Sequence, residues 1–234
     1  MDIRRVINNC DGLEKKLSFL CYGNDTISKH LDYEKNWENH LIQIANLHLK
    51  DDSVILDIGA NIGIWSISLA IKQRKIYSFE PFKASYMTLC GNVFLNKVEN
   101  NVFPYNMALT DDISKNYDFK LDDEFNIGGI RLVSNEGTIS SKITLSTIDI
   151  LGLEKLDLIK VDVEGHEYNV LRGGLETIKK FKPIIFFECW IRDSHKEERE
   201  KLFNFIEKEL EYEIRSLRQE WRFCDDFIAL PYTK

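Results

Sequence analysis

Four carboxylates, Asp57, Glu80, Asp162 and Glu188, each close a short apolar run. The runs are VIL before Asp57, IYSF before Glu80, LDLIKV before Asp162 and PIIFF before Glu188. Short runs rich in Val, Ile and Phe read as buried strands. If those strands are parallel, their carboxyl ends share one edge and the four acids converge on it. Independent surface acids would not fall so regularly at strand ends. An acid-lined edge can accept hydrogen bonds from hydroxyls, balance a cationic ligand, or take up a proton.

The stretch VILDIGANIG, residues 54–63, organises the rest. A strand ends in Asp57, the chain breaks at Gly59, Asn61 and Gly63, and a helical pattern runs from Ile64 to Ile71. Strand, glycine turn and helix bring exposed backbone N–H groups against a ligand. The pattern D-I-G-A-N-I-G is not G-x-G-x-x-G, and an acid so close to the turn is unhelpful to a pyrophosphate. Glu80 stands at the tip of the next strand, roughly 20 residues on, where an acid clamps a ribose diol. Glu80 by itself does not separate NAD from S-adenosylmethionine. With Asp57 it favours the latter, which carries an amino acid end and a sulfonium but no phosphate. In the plainer alternative Gly59 and Gly63 are turn glycines and Asp57 caps a helix. A third strand is expected over 102–109, with Asn106 and Ala108 near the cofactor's base.

Residues 162–167, DVEGHE, are the expected chemical centre. Methyl transfer from a sulfonium to an alcohol needs an in-line approach and loss of the hydroxyl proton. Asp162, Glu164 or His166 could take that proton. Alternatively a divalent ion held by Asp162 and Glu188 could acidify the hydroxyl, and magnesium or manganese would suit two carboxylates. The plainer reading makes Asp162 and Glu164 caps of the helix that follows and His166 an ordinary helix-start residue. His195 is a weaker candidate base, and His30, His40 and His48 lack supporting neighbours.

These residues need a scaffold that holds strand ends together. Strands alternating with helices imply a doubly wound, mostly parallel α/β sheet with right-handed crossovers. Helices are expected over 37–49, 84–95, 168–181 (interrupted by Gly173-Gly174) and 196–210. Thr110 to Asp123 reads as a polar connection, and 128–133 with 142–148 as a β insertion over the site. Residues 1–36 form an N-terminal extension of undecided structure, and 37–234 the main domain. The chain has 234 residues, 44% of them apolar, enough for one α/β domain with a real core. A net charge of −7 argues against a nucleic-acid partner. Five scattered cysteines without metal or redox spacing read as free thiols in a reducing compartment, so a cytoplasmic location is expected. No apolar run of membrane-spanning length and no signal peptide is read.

VILDIGANIG, FEP at 79–81, NMAL at 106–109 and IKVDVEGHEYNVLRGG at 159–174 together resemble the FkbM-type methyltransferase family. The resemblance covers about residues 37–190, including the Trp37-Glu38 helix start. Its most specific part is IKVDVEG…VLRGG, since DIGANIG is shared by many methyltransferases. It implies a class I, Rossmann-like, S-adenosylmethionine-dependent fold with an N-terminal helical lead-in, and O-methylation of a sugar or polyketide hydroxyl. It carries over Asp57, Gly59, Asn61, Gly63 and Glu80 as cofactor contacts, and Asp162, Glu164 and His166 as site residues. Metal use differs among related sugar O-methyltransferases. A sugar acceptor would meet Glu38 and Glu188, with Tyr33, Trp37 or Trp190 available for stacking. Other expectations are a polyketide, lipid or small-molecule acceptor, a non-catalytic cofactor-binding module, and an NAD oxidoreductase. Asp57 and the missing middle glycine argue against the last.

Overall fold

The computed structural model describes residues 3–8, 16–22, 38–121, 130–134, 143–191, 193–217 and 224–232. Tyr33, Trp37, Gly128, Gly129 and Trp221 lie outside the described residues. In chain order the elements are β1 (Ile3–Asn8), β2 (Leu17–Tyr22), α1 (Asn39–His48), β3 (Val54–Ile58), α2 (Ile64–Leu69), β4 (Lys75–Phe79) and α3 (Lys83–Asn96). They continue with β5 (Val102–Tyr105), β6 (Ala108–Leu109), β7 (Tyr117–Leu121), β8 (Ile130–Ser134), β9 (Leu145–Ser146), β10 (Leu158–Val161), α4 (Glu167–Arg172) and α5 (Leu175–Phe181). The last are β11 (Ile184–Trp190), α6 (Lys196–Asn204), β12 (Tyr212–Ser216) and β13 (Cys224–Pro231).

The main sheet has the order β12-β13-β11-β10-β3-β4-β5. β3, β4, β5, β10 and β11 run parallel, and β13 lies antiparallel between β11 and β12. From β3 the chain builds outward to β5, then returns to lay β10 on the other flank of β3. The strand order therefore reverses between β3 and β10, where a crevice opens at the carboxyl ends of such sheets.

Alternation along each strand feeds two cores. Ile55, Leu158, Phe186 and Ile228 pack on one face with residues of α1, α2 and α3. Leu56, Ile58, Ile159, Val161, Ile185 and Phe187 pack on the other with residues of α4, α5 and α6. The expected helix over 168–181 is divided at its glycines. A Cβ on Gly173 would lie 2.0 Å from the Thr110 carbonyl oxygen, and one on Gly174 would lie 2.9 Å from Ile148. The expected helix over 196–210 changes at Phe205 into a π turn to Glu209.

Several boundaries differ from the sequence reading. The described part of residues 1–36 is an antiparallel hairpin, β1–β2, rather than a helix. Its Val6, Leu17, Phe19, Cys21 and Tyr22 join the α1–α2–α3 core. Asn92 and Asn96 of α3 bond the backbone of β2 at Leu20 and Ser18. The third strand stops at Tyr105 instead of reaching Leu109. Asn106 turns away to bond the Glu80 and Pro81 carbonyls, and Ala108–Leu109 pairs with β9. Tyr117–Leu121, read as part of a polar connection, is a strand paired with β8. β11 runs on through Glu188 to Trp190 because β13 continues the ladder beside it.

Candidate active site

The glycine turn after β3 is held from β4. Gly59 N–H and Ala60 N–H both donate to Phe79 O at 3.0 Å. Gly59 has φ +79°, and a Cβ there would sit 1.7 Å from the Asp162 carbonyl oxygen, so no larger residue fits. Asn61 is also left-handed, at φ 49°. Its N–H donates to Glu80 Oε2 at 2.9 Å, and Phe82 N–H donates to Glu80 Oε1 at 2.8 Å. Glu80 is buried, which pushes its carboxyl up to about 7 against the pull of those two N–H groups. Each oxygen keeps a lone pair for a further donor. The Asn106 amide holds the Glu80-Pro81 turn, and Ala108 is buried in β6. Asn106 thus shapes the turn next to the site through its side-chain amide.

Asp57 is 1% exposed. Its Oδ2 accepts from Ser66 Oγ, which also meets Ser78 Oγ at 2.6 Å. Its Oδ1 has no hydrogen bond and lies 3.8 Å from Lys160 Nζ. Burial pushes the Asp57 carboxyl up, and Lys160 and Ser66 oppose the shift. Lys160 Nζ donates to Asp162 Oδ2 at 3.1 Å and to Gly59 O at 3.4 Å. Burial would push this ammonium down, but Asp162, Asp57 and Glu38 outweigh it and hold it charged.

The turn after β10 carries two more acids. Glu164 at φ 54° and Gly165 at φ 96° are both left-handed. Glu167 Oε1 accepts from Val163 N–H at 3.2 Å and Gly165 N–H at 3.0 Å, pinning that turn. Burial, with the nearby Asp162 and Glu167 carboxylates, pushes Glu164 up to about 8. A non-glycine residue in the left-handed region carries about 1–3 kcal/mol of strain, which the surrounding fold must hold.

His166 stands apart from this edge. Its Nε2 lies 3.1 Å from Thr110 Oγ1 and its ring packs edge-on against Tyr117 at 5.2 Å. Burial pushes its pKa down to about 4, so the imidazole is neutral at pH 7. It joins α4 to the β6–β7 connection.

Beside Lys160 and Asp162 opens a narrow cleft, partly open to solvent. Carboxylates of Glu38, Asp162, Glu188 and Asp226 line it, with Trp65 and Phe186 among its apolar walls. Glu38, at the start of α1 with φ 52°, and Glu188, opposite Asp226 across the β11–β13 ladder, reach one cleft from elements far apart in sequence. Glu188 therefore stands inside a strand, not at its tip.

Asp162 and Glu188 do not fit a magnesium or manganese site. The Lys160 ammonium already occupies Asp162 Oδ2, and it would repel a divalent cation that needs about six oxygen ligands. Among the described residues no group of three or more His, Cys, Asp or Glu side chains stands together as a metal site. Asp57, the Gly59–Gly63 turn and Glu80 do fit an S-adenosylmethionine-type ligand. Asp57 keeps a buried oxygen without a donor, and the turn brings backbone close to the crevice. Sequence reasoning missed Lys160, Glu167 and Asn92. The signal for Lys160 was a lone charge inside the apolar strand LIKV, which needs buried counter-charges.

The Methyltransferase FkbM domain model matches residues 57–220, more than half of the chain. Methyltransferase sdnD of Sordaria araneosa is 29% identical over 207 residues, covering 72% of this chain and 78% of its own length. The hexuronic acid methyltransferase AglP of Haloferax volcanii is 27% identical over 152 residues, 63% of this chain and 61% of AglP. A tRNA (guanine(37)-N(1))-methyltransferase of Phytophthora infestans is 28% identical over 130 residues, 48% of this chain and 32% of that protein. The crystal structure of a methyltransferase FkbM from Methylobacillus flagellatus superposes with a TM-score of 0.55 at 19% identity, over 77% of this chain and 44% of that one. That likeness speaks for the fold, the class I Rossmann-like sheet.

Proposed function

This chain belongs to the FkbM methyltransferase family, and on that premise we propose that it moves the methyl group of S-adenosylmethionine onto a hydroxyl of a sugar or glycan. The observation that carries the sugar is the relative named for hexuronic acid methylation. The cleft supports it: Glu38, Glu188 and Asp226 beside Asp162 can accept hydrogen bonds from hydroxyls. A polyketide, lipid or other small-molecule hydroxyl is the neighbouring alternative.

In this reading Glu80 receives the ribose hydroxyls, and Asp57, Gly59, Asn61 and Gly63 shape the turn that the cofactor lies against. Asp57 and Asp162 also favour the positive sulfonium side of the ligand. Bound S-adenosylmethionine supplies an electrophilic methyl carbon on sulfur. The acceptor oxygen forms the new C–O bond as the C–S bond breaks with its electron pair going to sulfur. The hydroxyl proton goes to Glu164, whose pKa near 8 lies close to working pH, as general-base catalysis asks. Glu38 and Glu188 orient the acceptor from the cleft walls. His166, neutral and held by Thr110, is a positioning residue for α4. Residues 37–234 form the catalytic unit, buttressed by the N-terminal hairpin.

The tRNA-modifying relative makes RNA a second acceptor to test. The net charge of −7 and the acid edge speak against it, since phosphates are drawn to basic surfaces. Among the described residues no helix is long and apolar enough to cross a membrane. Release of S-adenosylhomocysteine should be measured with neutral sugars, uronic acids, small alcohols and tRNA in parallel. Turnover with a sugar supports the proposal. Turnover with tRNA alone replaces it.

A further inference from the structure

Lys160 is the one residue of β10 that carries a charge, and it is 8% exposed. The strand register sets it opposite Asp57 on β3 and Phe186 on β11, on the face that looks into the crevice. Its ammonium reaches three groups from two neighbouring strands: Asp162 Oδ2 at 3.1 Å, Gly59 O at 3.4 Å and Asp57 Oδ1 at 3.8 Å. Asp57 Oδ1 has no hydrogen-bond donor of its own and faces this ammonium. The two loops it joins already touch, since a Cβ on Gly59 would meet the Asp162 carbonyl oxygen. Small displacements of either loop would therefore close or distort the crevice between them.

We propose that Lys160 is a positioning residue whose ammonium is the site's built-in cation, holding Asp57, Asp162 and the Gly59 turn in the arrangement that receives the cofactor. Two carboxylates on adjacent strand ends repel each other when both are ionised. A divalent ion between them would remove that repulsion. Here a strand-borne ammonium stands in that position and donates hydrogen bonds as well. Unlike a metal it cannot be removed by a chelator, and it offers no open coordination position to an acceptor hydroxyl. It acts through the carboxylates and the turn, not on the methyl group.

The inference rests on S-adenosylmethionine as the ligand, but its test needs no acceptor. Calorimetric binding of S-adenosylhomocysteine should be compared for the wild type, Lys160→Met, Asp162→Asn and the double variant. The wild type should bind, and dialysis against EDTA should leave its affinity unchanged. Lys160→Met should bind at least tenfold more weakly. The double variant should lose much less than the product of the two single losses, because cation and counter-charge are removed together. If Lys160→Met alone does not fold, the double variant should fold and bind within a few-fold of Asp162→Asn. Unchanged affinity in folded Lys160→Met, multiplicative losses, a double variant that fails to fold, or a tenfold EDTA-induced loss restored by magnesium or manganese would each overturn the proposal. A wild type that does not bind S-adenosylhomocysteine would instead remove the cofactor reading beneath it.

Discussion

The titratable groups of the DVEGHE turn differ in their surroundings, and the proposed roles follow those differences. Glu164 is held up near 8 by burial and by Asp162 and Glu167, so it exchanges a proton close to neutral pH. As the base it must be ionised, and turnover should rise with pH through about 8. Glu164→Gln should lower turnover by about 10²–10⁴ and flatten that limb of the pH profile, with S-adenosylhomocysteine binding little changed. His166 behaves oppositely. Its folded pKa of about 4 lies below the ordinary 6.5, so the stability it lends is fully present above pH 6.5 and is lost as pH falls through 4. His166→Asn should keep turnover within about tenfold, since it takes no proton from the acceptor. Its thermal midpoint should also fall less than the wild type's between pH 6.5 and 4. A loss as large as that of Glu164→Gln would return His166 to the chemical step. The sequence marked both residues as candidates but could not rank them. Thr110, 56 residues away, bonds the imidazole, a partner that no local pattern announced.

At the level of elements, the glycine turn and the strands that frame it were legible because their signals are local. Apolar runs punctuated by Asp57, Gly59 and Gly63 specify strand, turn and helix wherever they occur. The hairpin β1–β2 was not legible, because what fixes it comes from α3, over 70 residues along the chain. Ser18 N–H donates to Asn96 Oδ1 at 2.9 Å, and Leu20 N–H donates to Asn92 Oδ1 at 2.6 Å. Asn92 Nδ2 donates both to Leu20 O at 3.1 Å and to Ile62 O at 2.8 Å. One buried amide thus ties the hairpin to the glycine turn. Asn92→Leu would leave three backbone groups without partners, each worth about 1–3 kcal/mol when buried. We expect a drop in thermal midpoint of several degrees or more, earlier proteolysis at the hairpin and weaker S-adenosylhomocysteine binding. Loss of stability with unchanged binding would show that the hairpin only buttresses the core. The end of β11 was misjudged for a similar reason: β13, from the far end of the chain, extends the ladder past Glu188 to Trp190.

Across the whole molecule, the reversal of strand order between β3 and β10 gathers Asp57, Glu80 and Asp162 about one crevice, as the alternation of strands and helices implied. In the proposed function the β4 edge of that crevice receives the ribose and the β10–β11 side the acceptor. Glu188 reaches the cleft from within its strand, beside Asp226, a neighbour that no local pattern announced. The expected metal pair, Asp162 and Glu188, gave way because the Lys160 ammonium sits on Asp162 Oδ2, and strand register, invisible in sequence, also sets it opposite Asp57. The central claim is methyl transfer to a sugar hydroxyl, and the most direct measurement follows the methyl group itself. S-adenosylmethionine labelled in its methyl group should be incubated with the protein and with separated glycans, lipids, small molecules, proteins and RNA. The label is expected in the glycan fraction, stable to mild alkali and released by acid hydrolysis as a methyl ether of a monosaccharide. Label confined to RNA or protein, or carried on nitrogen, would contradict it.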